Sequence, residues 1–458
     1  MLLKIKEHSI YFLGIGGIGM SALARYFRAK GYSVHGYDRT STALTSALEQ
    51  EGMIIHYHED IALIPSETGL VIYTPAIPEG NTELQYLKNS GVRMLKRAEV
   101  LGMLSSEYKT IACAGTHGKT TTSTLVSYLM QQSEVGCQSF MGGISRNFDT
   151  NLLISETSPF LVAEADEYDR SFLHLHPYIA IITSTDSDHL DIYNNHQAIY
   201  EAFSAFTGNI VPGGNLILKK GITISLPPSP EYQVYTYAVD DEADYYASDL
   251  RLVNGLYCFD LTYPNGKILN LVLGIPGLYN VENAVAAIAA ALLAGVSPDE
   301  ISTGLATFRG VRRRFDIRLN ENNFVYIDDY AHHPEEIKAC INSAKAMFPK
   351  SRITGIFQPH LYSRTRDFAE EFAQSLSKLD EILLLPIYPA REKPIEGVDS
   401  EMLFLLMNHK NKYLVEKKDF PEFFTGRKTE VLLTMGAGDI DTLVEPIENY
   451  FRNQNKSK

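Results

Sequence analysis

The stretch "YKTIACAGTHGKTTTSTLVSYLMQQ", residues 108–132, decides the fold class. It contains an apolar run, a glycine turn and a segment with leucines on one helical face. N–H groups at the start of a helix attract anions, and Lys119 and Thr120 add the cation and the hydroxyl that a nucleoside triphosphate and Mg²⁺ require. Cys113 stands where the complete phosphate-loop spacing has a glycine. The combined pattern still predicts a phosphate-binding loop on a parallel α/β sheet, rather than a surface lysine beside an ordinary turn.

A second glycine loop lies near the start of the chain, in "YFLGIGGIGMSALARYF", residues 11–27. Gly14, Gly16 and Gly19 form a G-x-G-x-x-G pattern, and Asp38 follows at the end of the next apolar segment. This pattern is typical of dinucleotide-binding folds, so an NAD-dependent oxidoreductase is one interpretation. That interpretation leaves the Gly-Lys-Thr loop unexplained. An ATP-driven enzyme whose second substrate carries a pyrophosphate would use both loops.

Two acidic segments follow the Gly-Lys-Thr loop. "FLVAEADEYD", residues 160–169, is an apolar strand that ends in Glu164 and Asp166, and "STDSDHLDIY", residues 184–193, brings His189 after a further strand. The carboxyl ends of parallel strands meet at one edge of a sheet, so these side chains are expected near the phosphate loop. Carboxylate oxygens are ligands that Mg²⁺ prefers, and the sequence therefore predicts a metal site here.

The pattern of strands and helices predicts three α/β domains. Residues 1–105 alternate strand-like and helix-like segments, which is typical of a Rossmann-like domain with a parallel sheet. Residues 106–311 form a central domain of the P-loop ATPase type with a parallel sheet, and its residues 214–273 are rich in strand patterns. Residues 312–458 form a C-terminal, again Rossmann-like, α/β domain.

Composition excludes several classes of protein. The net charge of −14 over 458 residues argues against nucleic-acid binding, which needs a basic surface. No apolar segment approaches the length of about 20 residues that spans a membrane. The four cysteines lack C-x-x-C spacing, which favours a reducing cytoplasm without a disulfide framework. The cysteines are Cys113, Cys137, Cys258 and Cys340. Composition leaves open whether the protein is a monomer or a dimer.

A series of motifs between Gly14 and Ile440 resembles the Mur ligases of peptidoglycan synthesis. The motifs occur in family order along almost the whole chain: GIGGIGMSALA, AGTHGKTTT, EADEYD, DHLD, NVENAVAA, RRRFD, DDYAHHPEE, FQPHLYSRTRDF and GAGDI. The resemblance implies domains for a UDP-sugar, for ATP with Mg²⁺ and for an amino acid. It also implies that a substrate carboxylate attacks the γ-phosphate of ATP and that the amino acid then attacks the resulting acyl phosphate.

The resemblance also assigns the site residues. For the UDP-substrate it implies Gly14, Ile15, Gly16, Gly17, Ile18, Gly19, Asp38, Thr74 and Arg97. For ATP it implies Gly115, Thr116, His117, Gly118, Lys119, Thr120, Thr121, Asn283, Arg314 and Asp329. The implied catalytic residues are Lys119, His117 and His189, and the implied Mg²⁺ ligands are Thr120, Glu164 and His189. For the amino acid it implies Tyr330, His332, His333, His360 and Arg364.

Some of these residues have a plain structural alternative. Arg312, Arg313 and Arg314 read equally well as a solvated hinge run, and the third domain is expected to close over the ATP domain about residues 306–316. His332 could serve as a helix cap or a packing residue.

Two features bear on which member of the family this chain resembles. Sister ligases that add later amino acids use a carbamoylated lysine after the DH segment, and residues 171–218 contain no lysine. This favours the branch that joins L-alanine to UDP-N-acetylmuramate. Leu361 occupies a place where the family often has arginine, which removes a cation expected near the substrates unless Arg366 replaces it.

Three other functions remain as alternatives at this point. A recycling ligase would attach a tripeptide to the same UDP-sugar. An NAD-dependent oxidoreductase would use only the first glycine loop. A non-catalytic nucleotide-binding regulator would keep the loops without turnover, although Lys119, Thr120 and Glu164 are all present.

Overall fold

The computed structural model describes residues 9–186, 196–321, 323–390 and 392–456. The helices in these ranges are α1 (Ile18–Ala29), α2 (Ala43–Gln50), α3 (Thr82–Ser90), α4 (Arg97–Ser105), α5 (Lys119–Gln131), α6 (His196–Thr207), α7 (Leu278–Ala294), α8 (Pro298–Thr307), α9 (Pro334–Met347), α10 (Tyr362–Asp367), α11 (Ala369–Leu376), α12 (Ser400–Leu406) and α13 (Val444–Lys456). Across these residues, none of the helices combines the length and the apolar character needed to cross a membrane.

The strands form three sheets. The first sheet contains β1 (Ser9–Leu13), β2 (Val34–Tyr37), β3 (Ile54–His56), β4 (Thr68–Tyr73) and β5 (Met94–Lys96). The second contains β6 (Lys109–Ala114), β7 (Gln138–Phe140), β8 (Leu152–Leu153), β9 (Phe160–Ala165), β10 (Pro177–Ile182), β11 (Asn215–Lys219), β12 (Gln233–Val239), β13 (Tyr245–Val253), β14 (Leu256–Tyr263) and β15 (Gly266–Val272). The third contains β16 (Asp316–Glu321), β17 (Phe324–Asp329), β18 (Ile353–Phe357), β19 (Glu381–Leu384), β20 (Lys412–Leu414) and β21 (Val431–Met435).

The first sheet has the strand order β3-β2-β1-β4-β5, and all its neighbours are parallel. Every residue of β1 is buried, because helices cover both faces of such a sheet and leave no solvated side. After β1, the chain places β2 and β3 on one side of this strand and then β4 and β5 on the other side. This switch point opens a crevice at the carboxyl end of β1, where the first glycine loop begins.

The second sheet has the order β15-β14-β13-β12-β11-β10-β6-β9-β7-β8. The strands from β12 to β7 are parallel, and only β8 pairs antiparallel with β7 among the pairings described around this core. The phosphate-loop strand β6 lies between β10 and β9, so the loop that follows it also opens at a switch point. The strand-rich segment 214–273 is confirmed by β11 to β15.

The third sheet has the order β16-β17-β21-β18-β19-β20 and is parallel apart from the β16–β17 pair. The three sheets, each combined with helices, confirm the predicted three-domain α/β architecture.

The packing of the chain groups these elements into two compact units. The first comprises Met1–Leu250, Phe259–Val272 and Glu282–Arg309. The second comprises Arg251–Cys258, Leu273–Val281 and Gly310–Lys458. The first sheet and the phosphate-loop strands share the first unit. The predicted boundaries at 105 and 311 stay a prediction.

Candidate active site

The second glycine loop connects β6 to α5 and is the most constrained part of the site. Gly115 has a φ of +136° and Gly118 a φ of +82°, a region that residues with a side chain rarely adopt. A Cβ atom at Gly115 would collide with Thr183 Oγ1, and one at Gly118 would collide with Asn283 Oδ1. Helix α5 begins directly afterwards at Lys119, so the loop directs helix N–H groups at its own mouth.

A segment after β10 holds this loop in place. Ser184 Oγ lies 2.8 Å from Thr116 Oγ1 and accepts the His117 N–H at 2.8 Å. The Thr116 N–H donates to Ser184 O at 3.2 Å, and Thr183 Oγ1 donates to Ala114 O at 3.1 Å. Bonds of this kind fix the loop before a ligand arrives, which is the condition for effective electrostatic stabilisation. Sequence reasoning missed Thr183 and Ser184, although hydroxyl residues at the end of a strand next to β6 were a usable signal.

Lys119 is largely buried, and its ammonium has well-defined partners. Nζ donates to Gly115 O at 2.7 Å and to both carboxylate oxygens of Glu167 at 2.9 and 2.8 Å. Burial alone lowers the pKa of Lys119, but the carboxylates of Glu167, Asp166 and Glu164 outweigh it and the pKa is raised above its ordinary value. The lysine is therefore a fixed positive charge at the loop. Glu167, which is 1% exposed, was not predicted as a site residue.

Two of the three predicted metal ligands lie among the described residues. Thr120 is buried in the first turn of α5, and Glu164 belongs to β9, in register with Cys113 of β6. The Glu164 carboxylate lies against Gly142, where a Cβ atom would overlap Oε2. A hydroxyl and a carboxylate are hard oxygen donors that fit Mg²⁺. His189 lies outside the described residues, and within the described ranges no group of three His, Cys, Asp or Glu side chains forms a metal cluster.

Cys113 does not supply a nucleophile to this site. Its side chain is fully buried, and burial together with the Glu164 carboxylate raises the pKa of the thiol well above its ordinary value. The thiol therefore stays protonated, and the residue acts as a small apolar group beneath the loop.

Asn283 and His117 also lie at this loop. Thr122 Oγ1 donates to Asn283 Oδ1 at 3.3 Å, and the amide is 7% exposed beside Gly118. His117 Nε2 lies 3.9 Å from a carboxylate oxygen of Asp186, whose side chain is 72% exposed. The structure thus brings together the residues predicted for ATP at positions 115–121 and 283.

The first glycine loop is held by different means. The N–H groups of Gly14 and Ile15 both donate to Tyr37 O, at 2.8 and 3.1 Å. The Gly16 N–H donates to Asp38 Oδ2 at 2.8 Å. Asp38 therefore shapes the loop itself, a contact that the family resemblance did not imply.

Helix α1 begins at Ile18, after Gly17 as its N-cap, so its first N–H groups open toward the crevice. Arg97, the first residue of α4, lies close to this turn, and a Cβ atom on Gly19 would sit 3.0 Å from its Nη1. Thr74 lies beside Gly14, at 2.6 Å from the place a Cβ would occupy. The structure thus places Thr74 and Arg97 next to the loop, and their role in binding the UDP-substrate stays a prediction.

The residues predicted from the third domain lie in the second unit, around the carboxyl end of β17. Asp329 is 7% exposed and accepts the N–H groups of Phe315 and Ala331, both at 2.7 Å. Burial raises the pKa of Asp329 to about 7, although the Arg314 guanidinium and these N–H donors act to lower it.

Tyr330 follows directly and carries two guanidinium groups over its ring. The Arg313 and Arg314 guanidinium carbons lie 5.3 and 5.1 Å from the ring centroid, within cation–π range. Arg313 Nε also donates to Asp328 Oδ2 at 3.3 Å, and its Nη2 donates to Gly436 O at 2.6 Å. The interpretation of the arginine run as merely solvated is therefore wrong for Arg313.

The histidines of this unit fall into two environments. His332 Nδ1 lies 3.0 Å from Tyr330 O, and its ring meets that of His360 edge to face at 6.0 Å between centroids. His360 also stacks on Tyr388 and lies 3.5 Å from Arg364 Nη1, so His332, His360 and Arg364 form one half-buried cluster. His333 instead is buried as the N-cap residue of α9, with its ring on Phe368.

Leu361 has an unusual backbone within this cluster. Its φ of +71° with ψ of 136° lies in a region that side-chain-bearing residues rarely adopt. The Leu361 N–H donates to Tyr388 O at 3.0 Å, and the Tyr388 N–H donates to Pro359 O at 2.8 Å. These two bonds hold the strained turn that places His360 and Arg364 side by side.

Comparison with known proteins agrees with this geometry. Three family models match in succession: the Mur ligase family catalytic domain at residues 9–109, the Mur ligase middle domain at 113–291 and the Mur ligase glutamate ligase domain at 313–438.

The chain belongs to the Mur ligase family.

Among its relatives are two proteins named UDP-N-acetylmuramate–L-alanine ligase. The one from Parabacteroides distasonis is 49% identical over 455 residues, covering 98% of each chain. The one from Porphyromonas gingivalis is 48% identical over 450 residues, covering 97% of this chain and 99% of the relative.

Two solved structures of the family share the fold. A UDP-N-acetylmuramate-alanine ligase from Thermotoga maritima superposes with a TM-score of 0.84 at 29% identity, covering 98% of this chain and all of that one. A murein peptide ligase from Psychrobacter arcticus superposes with a TM-score of 0.72 at 23% identity, covering 97% of this chain and 99% of that one. The second likeness concerns the fold alone.

Proposed function

We propose that this protein is an ATP-dependent ligase that joins L-alanine to the carboxylate of UDP-N-acetylmuramate, the first peptide-adding step of peptidoglycan synthesis. The observation that carries the proposal is the pair of glycine loops on neighbouring sheets, of which only the second holds a buried lysine. A relative with this activity in its name matches over 98% of the chain at 49% identity, which supports the choice of substrates.

The chemistry needs positioned charges rather than a nucleophile of the protein. A carboxylate oxygen of UDP-N-acetylmuramate attacks the γ-phosphorus of ATP, the bond to the β–γ bridging oxygen breaks and ADP leaves. The amino group of L-alanine then attacks the acyl carbon, loses a proton and expels phosphate. Lys119 is placed to stabilise the negative charge of the transferring phosphoryl group, together with the N–H groups of the loop.

Lys119 can contact a phosphate without losing its orientation. Its three N–H donors go to Gly115 O and to the two oxygens of Glu167, so one of the Glu167 contacts must give way when a phosphate oxygen arrives. Gly115 O and the other Glu167 oxygen then keep the side chain aimed at the loop mouth.

Thr120 and Glu164 would hold Mg²⁺, with His189 as the third ligand implied by the family. A bound Mg²⁺ supplies charge neutralisation at the phosphates of ATP. Asn283, beside Gly118, would contact the adenine base, and Asp329 would contact the ATP ribose.

The first loop would bind the UDP pyrophosphate. The N-terminus of α1 favours an anion, and the Arg97 guanidinium can donate two parallel hydrogen bonds to a phosphate. Asp38 places a carboxylate at Gly16 of the same loop. A carboxylate repels a pyrophosphate, so Asp38 would lie toward the uridine part of the substrate.

The half-buried cluster of His332, His360 and Arg364 would receive the amino acid. Arg364 is a cation suited to the α-carboxylate of L-alanine, and the imidazole nitrogens can form hydrogen bonds with the amino acid. Leu361 adds no charge here, so Arg364 would act without the second arginine that the family often has.

A cytoplasmic location fits this function, since both proposed nucleotide substrates are intracellular metabolites. Free cysteines at positions 113, 137 and 340, all buried, support a reducing compartment.

Phosphate release from ATP, measured with UDP-N-acetylmuramate and either L-alanine or the tripeptide of the recycling reaction, tests the proposal. Release that depends on L-alanine is the expected result. Release with the tripeptide alone would assign the protein to the recycling reaction. Nicotinamide-dependent hydride transfer, with no phosphate release, would instead indicate that the protein is an NAD-dependent oxidoreductase that uses the first loop.

A further inference from the structure

Asn151 lies at a junction between the first glycine loop and the loop that carries the metal side of the site. It directly precedes β8 in the second sheet and is 0% exposed. Its Nδ2 donates to Ile18 O at 2.7 Å and to Ser21 Oγ at 3.0 Å, both on α1 of the first sheet. A single amide of the central domain thus clamps the first turn of the helix whose N-terminus faces the UDP-substrate.

The acceptor side of the same amide is also occupied. Asn151 Oδ1 accepts a hydrogen bond from Arg25 Nη1, on the same face of α1 one turn later. Arg25 is itself fixed, because its Nε lies 2.9 Å and its Nη2 2.7 Å from the Glu51 carboxylate. Both N–H donors and the oxygen of the buried amide therefore bind α1, and a buried amide without these partners would cost stability.

The backbone of Asn151 leads toward the metal side of the phosphate site. Its carbonyl accepts the Met141 N–H at 2.9 Å. The next residue, Gly142, is the one that the Glu164 carboxylate touches. The first turn of α1 is thus connected to Glu164, a proposed Mg²⁺ ligand, in two steps. These steps are the side-chain amide of Asn151 and the backbone hydrogen bond between Asn151 and Met141.

We propose that Asn151 is a positioning residue that fixes the UDP-substrate helix relative to the metal-side loop, and so sets the distance between the substrate carboxylate and the γ-phosphate. The inference rests on the proposed function for the identity of the two ligands. Reactions between two bound substrates are sensitive to such placement, because a displacement of about 1 Å can cost about 100-fold in rate. The role is one of placement, since Asn151 touches neither of the reacting atoms.

The test is Asn151→Asp, which keeps the shape of the side chain and its acceptor for Arg25 but removes the donors to Ile18 and Ser21. A carboxylate facing the Ile18 carbonyl will push the first turn of α1 away. We expect kcat to fall about 10- to 100-fold. The affinity for AMP-PNP, a non-hydrolysable ATP analogue, should stay within about twofold, since the contacts of the phosphate loop are unchanged.

Asn209→Asp is the matched control, because it introduces the same charge against a backbone carbonyl outside both glycine loops. Asn209 follows α6, and its Nδ2 donates to Leu173 O at 2.8 Å. This variant should keep the wild-type kcat within about twofold. Rates are divided by the number of AMP-PNP sites titrated in each preparation, so that a lower folded fraction cannot imitate a lower kcat.

Ser21→Ala serves if Asn151→Asp fails to fold, since it removes one of the two acceptors with little change in volume. It should lower kcat per site in the same direction, by about fivefold, the equivalent of about 1 kcal/mol for one hydrogen bond. Wild-type kcat per site in these variants, or a loss that Asn209→Asp reproduces, would overturn the inference. Wild-type protein that releases no phosphate with L-alanine would instead refute the proposed function, which separates the two failures.

Discussion

The two glycine loops share a scaffold but differ in the charges around them. Each follows a strand in the parallel part of its sheet, at a switch point, and leads into a helix. The second loop carries its own cation, Lys119, whose pKa is raised because nearby carboxylates outweigh its burial. Residues 14–19 of the first loop include no lysine or arginine. The cation beside this loop is Arg97, which belongs to α4.

This difference distinguishes a loop that binds a phosphate group from a loop that takes part in transferring one. A transferring phosphoryl group needs a charge aimed at it throughout the reaction, and two acceptors fix the Lys119 ammonium for that task. A pyrophosphate that only anchors a substrate needs binding energy alone, which helix N–H groups and one arginine can supply. The comparison teaches that the glycine pattern predicts where an anion binds, whereas the neighbouring side chains decide what happens to it.

The largest expected effect comes from removing the charge of the second loop. Lys119→Ala should lower kcat at least about 100-fold, because no other residue of the loop replaces the ammonium. The affinity for UDP-N-acetylmuramate should stay within about twofold, since the first loop is unchanged. Phosphate-release kinetics and calorimetric titration measure the two quantities.

Lys109→Ala is the control for that variant, because Lys109 lies at the opposite end of β6, where its ammonium stands 5.0 Å from the ring centroid of Tyr178. It should keep wild-type kcat. Near-normal turnover by Lys119→Ala would contradict the proposal that the second loop, unlike the first, takes part in phosphoryl transfer.

The second largest effect is expected from a side chain added to the first glycine loop. A Cβ atom on Gly16 would lie 2.8 Å from Asp38 Oδ2 and 2.7 Å from Thr45 Cγ2, so Gly16→Ala must displace the loop. The KM for UDP-N-acetylmuramate should rise about 10- to 100-fold, with the KM for ATP unchanged. Gly80→Ala, at a glycine with open space around it, should leave both KM values as they are.

Arg97→Ala tests the comparison by removing the cation that α4 contributes to the first loop. One hydrogen bond to a charged group contributes about 1.5–3 kcal/mol, so the KM for UDP-N-acetylmuramate should rise at least about tenfold. Steady-state kinetics at fixed, saturating ATP give this value. Arg93→Ala removes an exposed arginine shortly before it and should not change the KM; an equal rise in both variants would indicate a general loss of positive charge.

The smallest effect should come from Asp38. Asp38→Ala removes the acceptor for the Gly16 N–H and should raise the KM for UDP-N-acetylmuramate about fivefold, the equivalent of about 1 kcal/mol. Asp38→Asn keeps an acceptor oxygen and should stay closer to the wild type. If both variants lost affinity equally, Asp38 would act through its charge on the ligand rather than through the loop.

Much of this site could be predicted from sequence because its determinants are local. The glycines, Lys119 and Thr120 lie within one short segment, and the acids follow a strand that reads clearly as apolar. Asn283 was placed at the loop only through the family resemblance, since its contact with Thr122 spans a separation that no local pattern records.

The remaining contacts depend on how distant segments pack. Asn151 reaches Ile18 across 133 residues of sequence, and Glu167 reaches Lys119 across 48. An asparagine near a short strand or a glutamate after an acidic motif carries no periodicity that would reveal such a partner. Strands such as β3 and β5, with three residues each, are likewise too short to show alternation.

Simultaneous binding of the two nucleotide ligands tests the central claim most directly. We would titrate UDP-N-acetylmuramate into the wild-type protein, with and without saturating AMP-PNP and Mg²⁺. Two loops with two ligands predict one equivalent of UDP-N-acetylmuramate bound in both titrations, with no competition. Loss of UDP-N-acetylmuramate binding in the presence of AMP-PNP would mean that both nucleotides use one loop, and would contradict the account.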